Sequence, residues 1–192
     1  MLKVYSDTAG LEMEIPTYEH AAAISELAND ETIASNVGSV GEFPNPYRLE
    51  DANALVESAI ANYQLGISYD FLVSLLPKSI PIGLVGARNV NRFSKSAAVG
   101  FWTGKQYRLH AYTSKAVSML LEFCFRELKL NRVYATSIAT NVPSIRLMES
   151  LGFRREGLLK EAVITKSGPA DQLLFGLLSR EFESKYPIRV EW

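Results

Sequence analysis

Cysteine and histidine are almost absent from this chain, which has one cysteine, Cys124, and two histidines among 192 residues. A single cysteine cannot form an internal disulfide, and such usage is typical of proteins kept in a reducing compartment. These three residues also fall short of the donor set that a zinc site requires. The sequence therefore argues against a disulfide-stabilised fold and predicts no metal centre.

The chain also lacks an excess of charge of either sign and has no long hydrophobic run. The formal net charge is −1, so the chain has no overall basic field for nucleic acid or for an anionic membrane. No apolar run approaches the roughly 20 residues that span a bilayer. No basic segment followed by an apolar stretch indicates a signal peptide. These absences predict a cytoplasmic protein without a nucleic-acid or membrane partner.

The motifs of two large enzyme classes are missing as well. The chain has neither a Gly-x-Ser-x-Gly nucleophile elbow nor a Walker phosphate loop. What the chain does have is 47% hydrophobic residues, an ordinary share for a soluble domain with a packed core. Because no repeat, low-complexity tract or linker divides the sequence, we expect a single domain over residues 1–192.

Hydrophobic periodicity predicts a mixed α/β order of elements. The predicted strands are 11–15, 69–76, 80–89, 97–103, 132–138, 153–164 and 172–178. The predicted helices are 17–29, 49–65, 112–128 and a short one after Asn141. Segments rich in glycine, proline or polar residues predict a loop at 38–47 and turns at 77–79 and 166–169.

The most informative segment is 140–157, Thr-Asn-Val-Pro-Ser-Ile-Arg-Leu-Met-Glu-Ser-Leu-Gly-Phe-Arg-Arg-Glu-Gly. Asn141 suits a helix cap, Pro143 suits the first turn, and Gly152 suits the end of the helix. This pattern resembles the C-terminal half of the GCN5-related N-acetyltransferases (GNAT), most of all the RimJ/RimL-type branch that acetylates ribosomal-protein N-termini. Segment 43–52, Phe-Pro-Asn-Pro-Tyr-Arg-Leu-Glu-Asp-Ala, resembles the same branch.

The resemblance implies a fold, a cofactor and a reaction. The fold would be the GNAT fold, a mostly antiparallel central sheet of about seven strands with about four helices packed on both faces. The cofactor would be acetyl-CoA. The acceptor would be a primary amine, with a protein N-terminus as the signature substrate of the branch. A homodimer is common among similar proteins and is expected here.

The resemblance also assigns the cofactor site. Segment 104–113 corresponds to the pyrophosphate loop, between a strand and the strongest predicted helix. The family pattern Arg/Gln-x-x-Gly-x-Gly/Ala matches Arg108, Ala111 and Thr113, so alanine stands where the family has glycine. Alanine fits there if the backbone is helical. The expected cofactor contacts are Phe101, Trp102, Thr103, Arg108, Leu109, His110, Ala111, Tyr112, Thr113, Asn141, Ser144 and Arg146.

Each assigned contact also has a plainer interpretation. The main chain of residues 101–103 would pair with the pantetheine arm, yet Phe101 and Trp102 are equally suited to the core. Asn141 would bond the arm, and it also suits a helix cap. Arg146 would reach a phosphate of the nucleotide, or it is a solvated side chain.

The reaction requires a neutral amine, a polarised carbonyl and a proton source for the leaving thiolate. Many related enzymes supply that proton from a tyrosine at the position of Met148. The RimJ/RimL branch instead has a serine that matches Ser144, which is therefore the catalytic candidate. The branch's strand carboxylate corresponds to Ala98, so no general base is identified. The carboxylates in segments that could border the cleft are Glu50, Asp51, Glu161 and Asp171.

Three functions stay open at this point. The first is an N-acetyltransferase, acting on a protein N-terminus or on a small polyamine or antibiotic. The second is a catalytically weakened relative that binds acyl-CoA as a sensor or interaction module, and the third is a scaffold that no longer binds CoA. A cationic acceptor would require acidic side chains in the cleft, for which Glu42, Glu50 and Asp51 are the candidates.

Overall fold

The computed structural model describes residues 2–37 and 41–192. The strands are β1 Lys3–Ser6, β2 Leu11–Glu14, β3 Tyr69–Leu75, β4 Ile80–Asn91, β5 Ser96–Thr103, β6 Arg132–Ile138, β7 Arg154–Thr165, β8 Gly168–Leu178 and β9 Arg189–Glu191. The helices are α1 Ala21–Ala28, α2 Glu31–Ala34, α3 Leu49–Leu65, α4 Tyr112–Glu122 and α5 Val142–Ser150. Residues 38–40 of the predicted loop 38–47 lie outside the described residues, and the rest of that loop forms turns.

The strands form a single sheet in the order β7-β8-β6-β5-β4-β3-β2-β1-β9. Every neighbouring pair is antiparallel except β5 and β6, which run parallel. The predicted fold class, a mostly antiparallel sheet with helices, is confirmed. The structure adds two short strands that periodicity did not predict. These are β1 and β9, whose three or four residues are too few to show an alternating pattern.

Helices cover both faces of the sheet and bury two hydrophobic clusters. The larger cluster packs α4 and α5 against one face, and its fully buried aromatic side chains include Phe71, Phe123 and Phe175. The smaller cluster packs α1 and α3 against the other face around Leu84 and Trp102. Because alternate residues of a strand point to opposite faces, Phe101 and Trp102 belong to different clusters.

The helix ends follow local chemistry. The Asn141 carboxamide oxygen accepts a hydrogen bond from the Ser144 N–H at 3.3 Å, which confirms the predicted cap of α5. Gly152 has φ 91°, in the left-handed region that glycine tolerates, and it ends this helix as predicted. The predicted helix 112–128 is α-helical only to Glu122, after which Phe123–Glu127 forms a π-helical turn.

Among the described residues, no helix is both long and apolar enough to cross a membrane.

Candidate active site

The two parallel strands of the sheet separate part of the way along their length. Strand β5 pairs with β6 only at Ser96–Ala98, opposite Arg132–Tyr134. Beyond Ala98 each strand continues, β5 against β4 and β6 against β8, with no pairing between them. The result is a wedge between residues 99–103 of β5 and residues 135–138 of β6, with unpaired main-chain groups along its two sides.

The hydrogen-bond pattern shows which groups of β5 face the wedge. The Gly104 N–H donates to the Ile82 carbonyl on the β4 side, at 2.9 Å. Since main-chain direction alternates along a strand, Phe101 and Thr103 turn their N–H and C=O groups to the wedge side. The Thr103 carbonyl accepts a hydrogen bond from Arg108 Nε at 3.1 Å. The other groups are those that an extended ligand arm would pair with, in the manner of an added strand.

The loop that follows β5 presents a set of free amides at the open end of the wedge. Within the part of the chain that the structure describes, the N–H groups of residues 109–114 donate no hydrogen bond. They lead directly into α4, whose N-terminus carries the positive end of the helix dipole. Leu109 and Ala111 have φ 65° and 60°, and such left-handed residues turn successive amides toward one point. The arrangement suits a pyrophosphate.

The condition under which alanine fits this loop without strain, a helical backbone, is not met. Ala111 has φ 60° and ψ 5°, in the left-handed region that costs a residue with a β-carbon about 1–2 kcal/mol. Glycine has no such cost, so the structure explains why a glycine suits this position. The alanine is held by the conformation of the loop on both sides of it.

We expect Ala111→Gly to stabilise the protein by about 0.5–1 kcal/mol, because relief of the left-handed strain exceeds the entropy that glycine adds to the unfolded chain. Denaturant unfolding monitored by circular dichroism measures this change. Ala61→Gly on the exposed side of α3 is the matched control and should destabilise by about 1 kcal/mol. Equal decreases in the free energy of unfolding for the two variants would contradict backbone strain at Ala111.

The side chain of Arg108 is bound within the protein. Its Nη2 donates to the Asp30 carboxylate at 2.6 Å, and its Nε donates to the Thr103 carbonyl at 3.1 Å. Burial works to raise the pKa of Asp30, but the Thr32 amide and the Arg108 charge outweigh it and lower that pKa. Arg108 therefore ties the loop to the start of α2, whereas a direct contact with the cofactor stays a prediction.

Four other predicted side chains lie around the same loop. The Thr113 and Thr103 hydroxyls are 2.7 Å apart and share a hydrogen bond, which joins the start of α4 to the end of β5. His110 Nδ1 lies 2.7 Å from the Arg108 carbonyl, and the ring stacks on Tyr112 at a centroid distance of 5.6 Å. Both rings stand at the rim of the free amides, where a nucleotide would leave the loop.

The second predicted cluster lies at the start of α5. Ser144 is half-buried, and its hydroxyl makes no hydrogen bond to the described residues. Arg146 is exposed, and among the described side chains it has no ion-pair partner. Met148, at the position of the usual tyrosine, is buried in the larger cluster. The structure thus leaves Ser144 as the hydroxyl in the first turn of this short helix, with its role still a prediction.

A cavity of about 470 Å³ opens on the face of the sheet that α3 covers, and Gly100 lines it. Its aromatic wall consists of Phe43, Tyr47 and Trp102, and its charged side chains are Glu42, Asp51 and Arg88. Phe43 packs against Tyr47 and Trp102 at centroid distances of 4.9 and 6.4 Å. This cavity meets the β5 side of the wedge, where a second substrate would approach the first.

Two of the acidic residues proposed from the sequence line the cavity. Of the three acidic candidates, Glu42 and Asp51 line the cavity and Glu50 is exposed elsewhere on α3. Asp171 accepts a hydrogen bond from the Glu161 N–H at 2.8 Å within the β7–β8 hairpin, a structural role. Burial raises the pKa of Tyr47 to about 12, so this phenol stays protonated at neutral pH.

Sequence reasoning missed two charged residues on the cavity side of the sheet. Asp70 and Arg88 form an ion pair at 2.7 Å between β3 and β4, and Arg88 reaches the cavity. No local motif marks either residue. Their relation follows only from the register that places Asp70 opposite Gly86 and Arg88 opposite Ala98.

The family model of the acetyltransferase (GNAT) domain matches residues 11–154. The uncharacterized N-acetyltransferase p20 of Bacillus licheniformis is 35% identical over 101 residues, covering 53% of this chain and 57% of that protein. The prophage-derived uncharacterized N-acetyltransferase YokL of Bacillus subtilis is 34% identical over 104 residues, covering 53% and 58%. The chain thus spans just over half the length of these curated relatives.

Solved structures with the same fold cover nearly the whole chain. Mycobacterium smegmatis RimJ, solved in complex with CoA-disulfide, superimposes with a TM-score of 0.82 at 24% identity, covering 93% of this chain and 87% of that one. RimL, the ribosomal L7/L12 α-N-protein acetyltransferase solved with coenzyme A, superimposes with a TM-score of 0.80 at 17% identity, covering 88% and 94%. At these identities the likeness establishes the fold.

Proposed function

The chain belongs to the GNAT acetyltransferase domain family, and from that membership we propose that it transfers an acetyl group from acetyl-CoA to a primary amine. The family predicted from segment 140–157 is confirmed, and the fold is that of the RimJ and RimL proteins. The observation that carries the proposal is the row of free amides at 109–114, at the open end of the β5–β6 wedge.

The described residues fit acetyl-CoA at both ends. The free amides before α4 supply donors for the pyrophosphate, and the wedge side of Phe101 and Thr103 supplies main-chain pairing for the pantetheine arm. An arm that starts at this loop and runs back along β5 ends near Gly100, where the strands converge and the cavity opens. Acetyl-CoA supplies the reactive thioester in this arrangement.

Residues of this chain would then serve the transfer. The amine nitrogen enters through the cavity and attacks the thioester carbon beside Gly100. Main-chain N–H groups on the wedge side of β5 stabilise the negative charge that develops on the carbonyl oxygen. Ser144, at the start of α5, donates a hydrogen bond or proton to the leaving sulfur.

The cavity favours an acceptor whose amine enters as a positively charged ammonium group. Aromatic faces of Phe43, Tyr47 and Trp102 attract cations, and the Glu42 and Asp51 carboxylates add negative charge. We infer a protein N-terminus as the acceptor class, by analogy with RimL, the ribosomal L7/L12 α-N-protein acetyltransferase. A small polyamine meets the same chemistry and is the second candidate. Single-domain extent over 1–192, cytoplasmic location and a homodimer stay predictions.

Thermal shift and thiol release test the proposal together. Acetyl-CoA at 100 times its Kd should stabilise the protein by about 2.7 kcal/mol, whereas a scaffold that cannot bind CoA would show no shift. CoA release should then be measured with three acceptors: Ala-Tyr-Ala amide, N-acetyl-Lys-Tyr-Ala amide and spermidine. Stabilisation without release from any of them would favour the acyl-CoA sensor. Fastest release with the free tripeptide would identify an N-terminal acetyltransferase.

A further inference from the structure

The RimJ/RimL branch has a carboxylate at the position that Ala98 occupies in this chain. The fold places another carboxylate nearby, that of Asp70. Asp70 on β3 stands opposite Gly86 on β4, and Gly86 stands opposite Gly100 on β5. Side chains of paired residues share a face, so this row lies on the face of the sheet where the cavity opens, and Gly100 at the end of the row lines that cavity. A carboxylate and two glycines thus form one line that leads to the wedge.

The two glycines leave open space between the Asp70 carboxylate and the wedge. A β-carbon on Gly86 would stand 3.2 Å from Cγ of Asp70 and closer still to Oδ1. The Asp70 carboxylate therefore occupies the space above Gly86. Nothing lies within 4 Å of the place where a β-carbon on Gly100 would stand. Because neighbouring strands are about 5 Å apart, one water spans the gap from the carboxylate to the space above Gly100.

Asp70 is also held in a defined position. The residue is 8% exposed, and Oδ1 accepts a hydrogen bond from Arg88 Nε at 2.7 Å. Within the described residues Oδ2 accepts no hydrogen bond, and it is not among the buried atoms left without a partner. One oxygen is thus fixed by Arg88 while the other remains available to water.

The other titratable groups around this row are less suited to take a proton from the amine. They are Arg88 from β4, Tyr134 from β6, and Glu42, Tyr47 and Asp51 from the cavity wall. Tyr47 stays protonated, as its raised pKa of about 12 shows. Asp51 Oδ2 accepts the Arg48 N–H at 2.8 Å and so caps α3. Glu42 lies on the loop before α3 and lines the cavity, but it is not part of the row of paired strand residues.

We propose that Asp70 is the proton-accepting carboxylate for the acceptor amine, acting through one water across Gly86. This inference rests on the proposed acetyltransferase function. The ammonium group of the acceptor gives one proton through the water to Asp70, and the neutral nitrogen attacks the thioester carbon. As the C–N bond forms and the C–S bond breaks, the second proton of the nitrogen passes to the departing thiolate. The products are the amide and CoA thiol.

The pH dependence of kcat/KM tests the inference with acetyl-CoA and the fastest of the three acceptors named above. In the wild type, kcat/KM should change little between about pH 6 and the pKa of the amine, because Asp70 deprotonates the bound ammonium. In Asp70→Asn only the neutral amine in solution reacts, so kcat/KM should rise about tenfold per pH unit. At about pH 6.5 we expect a loss of roughly 100-fold.

Three further variants separate proton transfer from structural support. Asp70→Glu keeps a carboxylate and should keep the shallow profile. Arg88→Gln removes the ion pair but keeps Asp70, so its profile should stay shallow as well. Gly86→Ala displaces the carboxylate and should reproduce the steep profile of Asp70→Asn. Acetyl-CoA thermal shift on every variant verifies that it is folded and binds the first substrate.

The outcomes distinguish the inference from the function on which it rests. A shallow profile for Asp70→Asn, or equal profiles for Asp70→Asn and Arg88→Gln, would overturn the role of Asp70 alone. No thiol release by the wild type with any of the three amines would overturn the proposed function, and the inference with it. If Asp70→Asn does not fold, Gly86→Ala and Asp70→Glu decide between the two profiles.

Discussion

Gly100→Leu should abolish most turnover while leaving the fold and acetyl-CoA binding intact. Gly100 lines the acceptor cavity, its φ lies outside the left-handed region, and a β-carbon there would meet nothing within 4 Å. The leucine side chain would therefore fill the space that the amine needs without disturbing the sheet. Because small displacements of a reacting group cost about 100-fold in rate, we expect at least about a 100-fold loss of kcat/KM.

The matched control is Gly157→Leu on β7, another glycine with open space at its β-carbon and no left-handed φ. This variant should retain the wild-type rate, since Gly157 does not line the cavity. Thiol release measures turnover, and the acetyl-CoA-induced rise in melting temperature measures binding. Full activity in Gly100→Leu would place the acceptor path elsewhere, and loss of acetyl-CoA binding would mean that the side chain enters the wedge.

Arg108→Ala should weaken acetyl-CoA binding by roughly tenfold and destabilise the fold by about 1–3 kcal/mol. The guanidinium joins Asp30 and the Thr103 carbonyl, and so it holds the free amides of the loop in place before any ligand arrives. Without it the loop must be ordered at the cost of binding energy, and Asp30, whose side chain is 12% exposed, loses its ionic partner. Titration calorimetry and denaturant unfolding measure the two effects.

The double variant Arg108→Ala with Asp30→Asn provides the control for the ion pair. Its destabilisation should be smaller than the sum of the single changes, because the second change removes the unpaired carboxylate. Strict additivity would show that the two side chains do not interact in solution. Lys105→Ala, a nearby charge with no ion pair among the described residues, should leave both stability and affinity close to wild type.

The same pair sets a pH dependence of stability. The folded-state pKa of Asp30 lies below its value in the unfolded chain, about 3.9. The stabilisation is therefore fully present above that pH and is lost as the pH falls through the folded-state pKa. Unfolding of the wild type and of Arg108→Ala should differ by a constant amount near neutrality, and the difference should shrink below about pH 4.

Strand β5 borders both the cavity and the wedge, with the cavity on one face of the strand and the wedge along one edge. The face of the strand carries Gly100 and Trp102 toward the cavity, while its edge carries main-chain groups toward the wedge. A ligand arm paired with the edge thus leaves the face free for the acceptor. In the proposed function, a loop with alanine at position 111 can still bind the pyrophosphate, because the binding groups are amides that every non-proline residue has.

Local chemistry was predictable where one residue determines one feature. Asn141 and Gly152 bound α5 as their side-chain and backbone preferences require, and Cys124 lies in the core, where burial raises its thiol pKa to about 12. Periodicity located the long strands and helices because each spans several turns of its own pattern. It missed β9, whose three residues gain their structure by pairing with β1.

The sequence by itself determined the family and the order of the main elements, because capping, periodicity and motif spacing are all properties of neighbouring residues. Only the tertiary structure decided three other features: the left-handed backbone at Ala111, the attachment of Arg108 to Asp30, and the line from Asp70 across Gly86 to Gly100. These depend on residues far apart in the chain, and strand register, which brings such residues together, leaves no local trace in the sequence.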